Sequence, residues 1–186
     1  RLNGCRSQYP QERYRHNLVS SVIEKWIQRR TYNTPFKVDS TVRLPNKPAL
    51  SPNVRRLKPD IWWIYRNQVH ILEIMVPYDE DTQNPNNPND PQDTIRITQI
   101  RREEKMRKYT PLVEDVSIKF RMDTNLYIVI VSSLGAVPKE TIQDLSRALN
   151  LNKRMIKAIS KELTAAALRG SFLMLHNIKP NTNKGR

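Results

Sequence analysis

The apolar positions near the start of the chain follow a helical period. Between residues 13 and 30 they recur at steps of three and four residues: Leu18, Val19, Val22, Ile23, Trp26 and Ile27. This spacing predicts an amphipathic helix over residues 13–30 with one face in the core. Residues 31–58 contain four prolines and many polar residues, and the pattern there predicts only a short strand over residues 37–44.

Two apolar runs on either side of a short polar turn predict a β-hairpin over residues 57–77. A two-residue turn at 66–67, or a four-residue turn at 65–68, pairs Asp60 with Glu73 on the same face. Their Cβ atoms would then lie about 4.5–5.5 Å apart. A three-residue turn would instead send the two carboxylates to opposite faces of the hairpin.

The later apolar patterns complete an α/β arrangement. They predict helices over residues 94–113, 138–149 and 153–168, strands over 116–122 and 125–132, and further packing by 172–175. The segments at 1–12, 79–93 and 177–186 lack apolar content, so we expect them to be flexible. The folded domain is predicted to span residues 13–176.

Each strand of the predicted hairpin carries one acidic residue that a buried strand would normally exclude. A shared divalent cation, held by Asp60 and Glu73 with the backbone carbonyl of Ile74, would explain both exceptions. Alternatively, Asp60 caps a turn after Pro59 and Glu73 lies exposed on an edge strand.

Charge is distributed unevenly along the chain. The formal net charge is +14, which indicates a polyanionic partner. Residues 1–58 carry 13 basic and 3 acidic side chains, residues 59–138 carry 9 and 12, and residues 139–186 carry 10 and 3. Two basic flanks around an acidic centre suit a metal-dependent nuclease, although solubilising charge would give a similar excess.

Cysteine content and hydropathy exclude some classes of protein. One cysteine cannot form an internal disulfide, so a reducing, intracellular setting is expected. No apolar run approaches the length of a membrane span. The chain has neither an initiator methionine nor a signal peptide, and we expect it to be a piece of a longer polypeptide.

Five segments, in order, carry a resemblance to a known family. They are Arg15-His16-Asn17, the Lys58-Pro59-Asp60 to Glu73 hairpin with Val76-Pro77-Tyr78, Lys105 to Tyr109, the run from Leu126 to Val131, and Ser133 to Pro138. Together they resemble the PD-(D/E)xK nuclease superfamily. Within it, the chain is similar to the restriction-like endonuclease domain of site-specific LINE-type, non-LTR retrotransposon reverse transcriptases.

The resemblance implies a fold and a function. The fold would be a restriction-endonuclease-like core, in which helices flank a central mixed β-sheet. The activity would be Mg²⁺-dependent nicking of double-stranded DNA, with Mn²⁺ able to substitute, leaving a 3′ hydroxyl that primes reverse transcription. The implied partners are the reverse transcriptase and zinc-knuckle segments of the same polypeptide, in the nucleus. Cys5 resembles the end of that knuckle, but its partners are absent and no structural zinc is expected.

One position departs from the superfamily pattern. A lysine usually stands two residues after the second acid, where this chain has Met75, whose thioether cannot polarise water. The resemblance implies that the following helix supplies the lysine, and Lys105 is favoured over Lys108. Five residues form one stripe on that helix: Ile97, Arg101, Lys105, Lys108 and Leu112. Stacked cations indicate a nearby anion, unless Glu103 and Glu104 neutralise them.

Further residues are predicted to assist. The candidates for DNA binding are Arg15, Arg55, Arg56, Lys58 and Arg101, although a solvated basic loop is the simpler reading of residues 55–58. His16, Glu24 and Tyr109 are possible supporting residues; a histidine at the position of His16 is more often a structural hydrogen bonder, and Glu24 is more simply an exposed residue.

Two other functions fit the same residues. A junction-resolving nuclease shares the superfamily site but acts as a dimer on branched DNA. A DNA-binding module with a decayed active site would explain Met75.

Overall fold

The fold contains four helices and four strands within the residues that the computed structural model describes, which are 9–32, 34–77 and 91–176. Along the chain they are α1 (Tyr9–Arg30), β1 (Phe36–Val38), β2 (Ile61–Tyr65), β3 (Gln68–Met75), α2 (Pro91–Phe120), β4 (Asp123–Ile130), α3 (Lys139–Leu149) and α4 (Lys153–Leu175). The predictions about Cys5, the loop at 79–90 and the tail at 177–186 concern residues outside these ranges.

The hairpin has the predicted register. Ile61 pairs with Leu72 and Tyr65 pairs with Gln68, so a two-residue turn joins β2 to β3. The turn residues Arg66 and Asn67 have φ angles of 50° and 59°. Left-handed conformations at both positions are those of a type I′ turn, whose twist matches that of the flanking strands.

A four-stranded mixed sheet forms the centre of the fold, in the order β1-β2-β3-β4. The first two pairings are antiparallel, and β3 pairs with β4 in parallel. Helix α2 provides the long crossover that a parallel pair needs. The prediction of an α/β fold with helices flanking a mixed sheet is therefore confirmed.

Alternating side chains of the strands supply two cores. On one face, Trp63, Leu72 and Val129 pack with residues of α1, α3 and α4. On the other face, Trp62 and Ile71 pack with α2 and with the segment at residues 42–54. Because side chains alternate between the faces, Asp60 and Glu73 share the α2 face with Trp62 and Ile71.

Helix α2 is longer than predicted and replaces a predicted strand. The segment at 116–122 lies mainly in α2, which also begins earlier, at Pro91. Tyr109, Leu112, Val116 and Phe120 are buried on one helical stripe, and this packing outweighs the cost of Pro111 inside the helix.

Three other boundaries differ from the prediction. Residues 9–12 belong to α1 and are not loose. The predicted strand at 37–44 is limited to the three residues of β1. Helix α4 continues to Leu175, where Met174 is buried but Phe172 is 54% exposed. No helix among the described residues combines the length and apolar character that crossing a membrane requires.

Helix α3 covers the outer edge of β4. The Thr141 hydroxyl donates to Ile130 O and accepts from Ile130 N, at 3.0 and 2.9 Å. The buried Asp144 carboxylate accepts from Ile128 N at 3.1 Å. These side chains satisfy backbone groups that would otherwise leave an edge open to another strand.

Helices α1 and α4 approach closely at a glycine. A Cβ atom on Gly170 would lie 2.6 Å from Arg15 Cγ and 2.9 Å from Arg15 Cα. Gly170→Ala should therefore destabilise the protein by at least about 1 kcal/mol, because the overpacking penalty exceeds the gain in helix propensity. Urea unfolding measures the change, with the exposed Lys161→Ala in the same helix as the control. A more stable Gly170→Ala variant would contradict this packing.

Candidate functional site

At the end of the hairpin, each of the two carboxylates accepts a hydrogen bond from a backbone amide on the opposite side. Asp60 directly precedes β2, and the register extended by one residue places it opposite Glu73. Glu73 Oε1 accepts from Asp60 N at 3.0 Å, and Asp60 Oδ2 accepts from Ile74 N at 2.6 Å. Glu73 is only 1% exposed, so the alternative in which it lies on an exposed edge is wrong. The Asp60 carboxylate accepts from a backbone amide of the neighbouring strand β3, and not from the turn after Pro59 as the alternative proposed.

Helix α2 brings Lys105 to this pair. Lys105 Nζ donates to Glu73 Oε2 at 2.6 Å, so a lysine reaches the second acid although position 75 holds methionine. Lys108 is exposed, and its Nζ lies 4.7 Å from the centre of the Tyr109 ring. Lys105 is therefore the lysine that contacts the carboxylates, and no described contact supports Lys108 in the same role.

His16 reaches the pair from the opposite side. Its Nε2 lies 3.4 Å from Asp60 Oδ2, with 31% of the histidine side chain exposed. Burial, the largest influence, lowers the pKa of His16, but the hydrogen bond and charge of Asp60 outweigh it and raise the pKa overall. His16, which the sequence analysis named as a possible supporting residue, thus hydrogen-bonds Asp60.

The two acids have pKa shifts in opposite directions. Burial raises the pKa of both. For Asp60, the hydrogen bonds from His16 and Ile74 more than compensate, and the pKa is lowered. For Glu73, the charge of Asp60 adds to burial, and Lys105 only partly offsets them, so the pKa is raised. Mutual repulsion of two nearby carboxylates is the condition that a bound cation relieves.

Tyr109 lies one turn after Lys105 on α2 and supports the site. It is buried, and its hydroxyl donates to Lys58 O at 3.1 Å. Burial and the Glu73 carboxylate raise the pKa of Tyr109 above its usual range, so the phenol stays neutral. Tyr109 therefore ties α2 to the segment that leads into Asp60.

A backbone oxygen completes the oxygen donors. Met75 O accepts from Val131 N on the β4 side. Because successive residues of a strand direct their backbone groups to alternate sides, the carbonyl of Ile74 faces the β2 side, where Asp60 lies. Two carboxylates and one carbonyl suit a hard divalent cation, although the described residues contain no cluster of three metal-ligating side chains.

A basic segment lies next to the carboxylates. Arg55, Arg56 and Lys58 are all exposed. Asp115 of α2 anchors this segment, accepting from Ser51 N at 2.7 Å and from Ser51 Oγ at 2.8 Å. The prediction missed Asp115 because it ended the helix at residue 113; continuation of the apolar stripe to Phe120 could have revealed it. The prediction also missed two exposed cations, Arg43 and Lys47, which line one groove with Arg55.

Three predicted residues make contacts within the chain. Arg15 is 2% exposed and donates to Val76 O at 2.8 Å, so it supports the core and does not reach DNA. Arg101 pairs with Glu104 at 3.1 Å. This is the alternative in which a glutamate neutralises a cation of the α2 stripe, and it holds for Arg101. Glu24 is half-buried and accepts from Ser20 Oγ at 2.9 Å.

A polar cleft of about 550 Å³ opens beside His16 and Asp60. Its lining includes Arg13, Asn17 and Glu24 of α1 and Asp39 from the end of β1. Asp39 has a φ angle of 45°, and its amide donates to Asp60 O at 3.0 Å. Helical steps from His16 could have identified the α1 residues, but no pattern along the sequence indicates Asp39.

Comparisons with known proteins leave the family open: no protein-family model matches the chain, and no curated protein matches it.

The Lys105–Glu73 pair generates a pH-dependent prediction. Without Lys105, the pKa of the buried Glu73 should rise further. Ionised Glu73 should then lower the free energy of unfolding more, and this loss should grow as the pH rises above the ordinary carboxyl range. We expect Lys105→Met to destabilise the protein by about 1–3 kcal/mol at pH 8 and by less at pH 5; the loss should be smaller than for a fully buried pair because Lys105 is partly exposed.

Urea unfolding at pH 5 and pH 8, in the presence of a metal chelator, measures the difference in stability. Lys108→Met is the matched control, since it removes the same charge from the next turn of α2. A loss of stability that is equal at both pH values would contradict the assignment of Lys105 as the counter-charge of Glu73.

Proposed function

We propose that this protein is a metal-dependent endonuclease that nicks double-stranded DNA. The observation that carries the proposal is the convergence of Asp60, Glu73 and Lys105, which come from three separate elements. Burying two acids and a lysine together is costly for a fold that gains nothing else from them. In metal-dependent hydrolysis of a phosphodiester, acids of this kind hold the metal ion, and a cation can offset the charge on the phosphate.

The residues present fit a magnesium ion. Asp60, Glu73 and the Ile74 carbonyl would hold it, because carboxylate and carbonyl oxygens are the ligands that this hard cation prefers. When bound, the ion lowers the pKa of water and stabilises negative charge on the phosphate. Mn²⁺ has the same preference for oxygen ligands and would substitute.

The side chains around the metal site would divide the remaining work. The Lys105 ammonium would orient the attacking water or offset negative charge that develops on the phosphate. His16 would keep Asp60 ionised and correctly oriented through its hydrogen bond. Tyr109 would hold α2 against the segment that leads into Asp60.

The exposed cations would hold the duplex. Arg55, Arg56 and Lys58 lie on the segment that enters the site, and Arg43 and Lys47 extend that surface. Contacts of this kind bind phosphates without reading bases. In the proposed setting, a restriction-like endonuclease domain of a retrotransposon protein, the nick would supply the 3′ hydroxyl for reverse transcription.

A DNA-binding module with a decayed site is the second candidate, and Met75 is the observation that favours it. The position of Lys105 weakens this candidate, because the lysine missing at residue 75 is supplied from α2 at 2.6 Å from Glu73.

Plasmid nicking tests the proposal. Asp60→Asn, Glu73→Gln and Lys105→Ala should each reduce Mg²⁺-dependent nicking of supercoiled plasmid by at least about 100-fold. Each variant should still bind duplex DNA, since the basic segment is unchanged.

Lys108→Ala is the control and should retain most of the activity. If the unmutated protein leaves plasmid intact in both Mg²⁺ and Mn²⁺ while binding it, the protein is a binding module. Strong preference for four-way junctions over linear duplex would instead indicate a junction-resolving nuclease.

A further inference from the structure

A second cleft lies at the end of the sheet opposite the carboxylates, where the β2–β3 turn meets the C-terminal ends of α1 and α3. Its volume is about 270 Å³. Five strand steps of about 3.3 Å separate Asp60 from Tyr65, so this cleft is about 16 Å from the candidate active site. The lining residues used below are Arg30, Tyr32, Tyr65, Arg66, His70 and Arg147; we call it the hairpin-end cleft.

Three arginines give this cleft a positive charge, and none of the described residues lining it is acidic. Arg66 is exposed, with its guanidinium 5.2 Å from the centre of the Tyr65 ring. Arg147 is 70% exposed and pairs with Asp144. Arg30 donates to the carbonyls of Leu149 and Asn150 at 3.2 and 3.1 Å. A guanidinium has five N–H donors, so these contacts leave donors for a phosphate.

Tyr32 stands at the rim of the cleft with its ring exposed to solvent. It follows the end of α1 with a φ angle of 52°, and its side chain is 87% exposed. This position after a helix usually holds glycine or asparagine, because a left-handed conformation is unfavourable for a bulky side chain. The Tyr32 ring gains almost no burial in return, so its position suits a contact with something outside the chain.

The floor of the cleft is aromatic. His70 is 5% exposed and stacks on both Trp63 and Tyr127, with ring centres 4.9 and 5.9 Å away. Burial lowers the pKa of His70, so its ring is neutral at pH 7. The cleft therefore combines an aromatic floor with cations and an exposed ring at its rim.

We infer that the hairpin-end cleft binds single-stranded nucleic acid. The arginines would hold successive phosphates, and Tyr32 would stack on an unpaired base. A duplex would use only the arginines, because its bases are already stacked on one another, so the exposed ring selects single strands. This inference involves neither the metal nor the cleavage step and does not rest on the proposed endonuclease activity.

Fluorescence anisotropy with a labelled oligothymidine and the full chain tests the inference. Tyr32→Ala should weaken binding about tenfold, whereas Tyr32→Phe, which keeps the ring, should change it less than about twofold. Binding of a duplex of the same length should change less than about twofold in both variants. Arg66→Ala should weaken binding to both nucleic acids and reduce the dependence on salt.

Arg169→Ala, which removes an exposed charge from α4, is the matched control for Arg66→Ala and should have little effect. The inference is overturned if Tyr32→Ala binds oligothymidine as tightly as the unmutated protein. It is also overturned if Arg169→Ala weakens binding as much as Arg66→Ala, since attraction would then be general. Plasmid nicking by Tyr32→Ala should be unchanged, which separates this cleft from the candidate active site.

Discussion

The register of the β2–β3 hairpin is the constraint on which the candidate site depends. A shift of one residue would move Glu73 from the α2 face to the opposite face, and the pair with Asp60 would be lost. The type I′ turn at Arg66 and Asn67 sets this register at one end. At the other end, Asp60 and Glu73 each accept a hydrogen bond from the backbone of the opposite strand. The site residues thus also complete the hairpin.

Charge balance explains why the lysine comes from a helix. A buried Glu73 next to Asp60 needs a nearby cation, because burial and like charge both raise its pKa. Met75 cannot provide one from β3. Helix α2 lies on the same face, and its buried residues Tyr109 and Leu112 fix which of its lysines faces the acids. Lys105 lies one turn before Tyr109, whereas Lys108 is directed to solvent.

The sequence predicted what depends on local spacing. Two apolar runs around a short polar turn predicted the hairpin, and a turn of two or four residues predicted that Asp60 lies opposite Glu73. Helical spacing predicted the helix that carries His16 but not its contact with Asp60. The predictions failed where tertiary packing outweighs local preference: the apolar pattern over residues 116–122 predicted a strand, but the packing of Val116 and Phe120 continues the helix. Arg15 is basic and was predicted to bind DNA, but it is buried and packs against Gly170 of α4. Local spacing cannot reveal a contact between helices that are far apart in the sequence.

Binding of a divalent cation by Asp60 and Glu73 can be tested with crystals of the protein soaked in Mn²⁺. We expect one anomalous peak between the carboxylates of Asp60 and Glu73, within ligand distance of the Ile74 carbonyl, and no peak there in Glu73→Gln. If manganese is absent between these carboxylates at saturating concentration, or binds only at other acidic groups, Asp60 and Glu73 do not form a metal site.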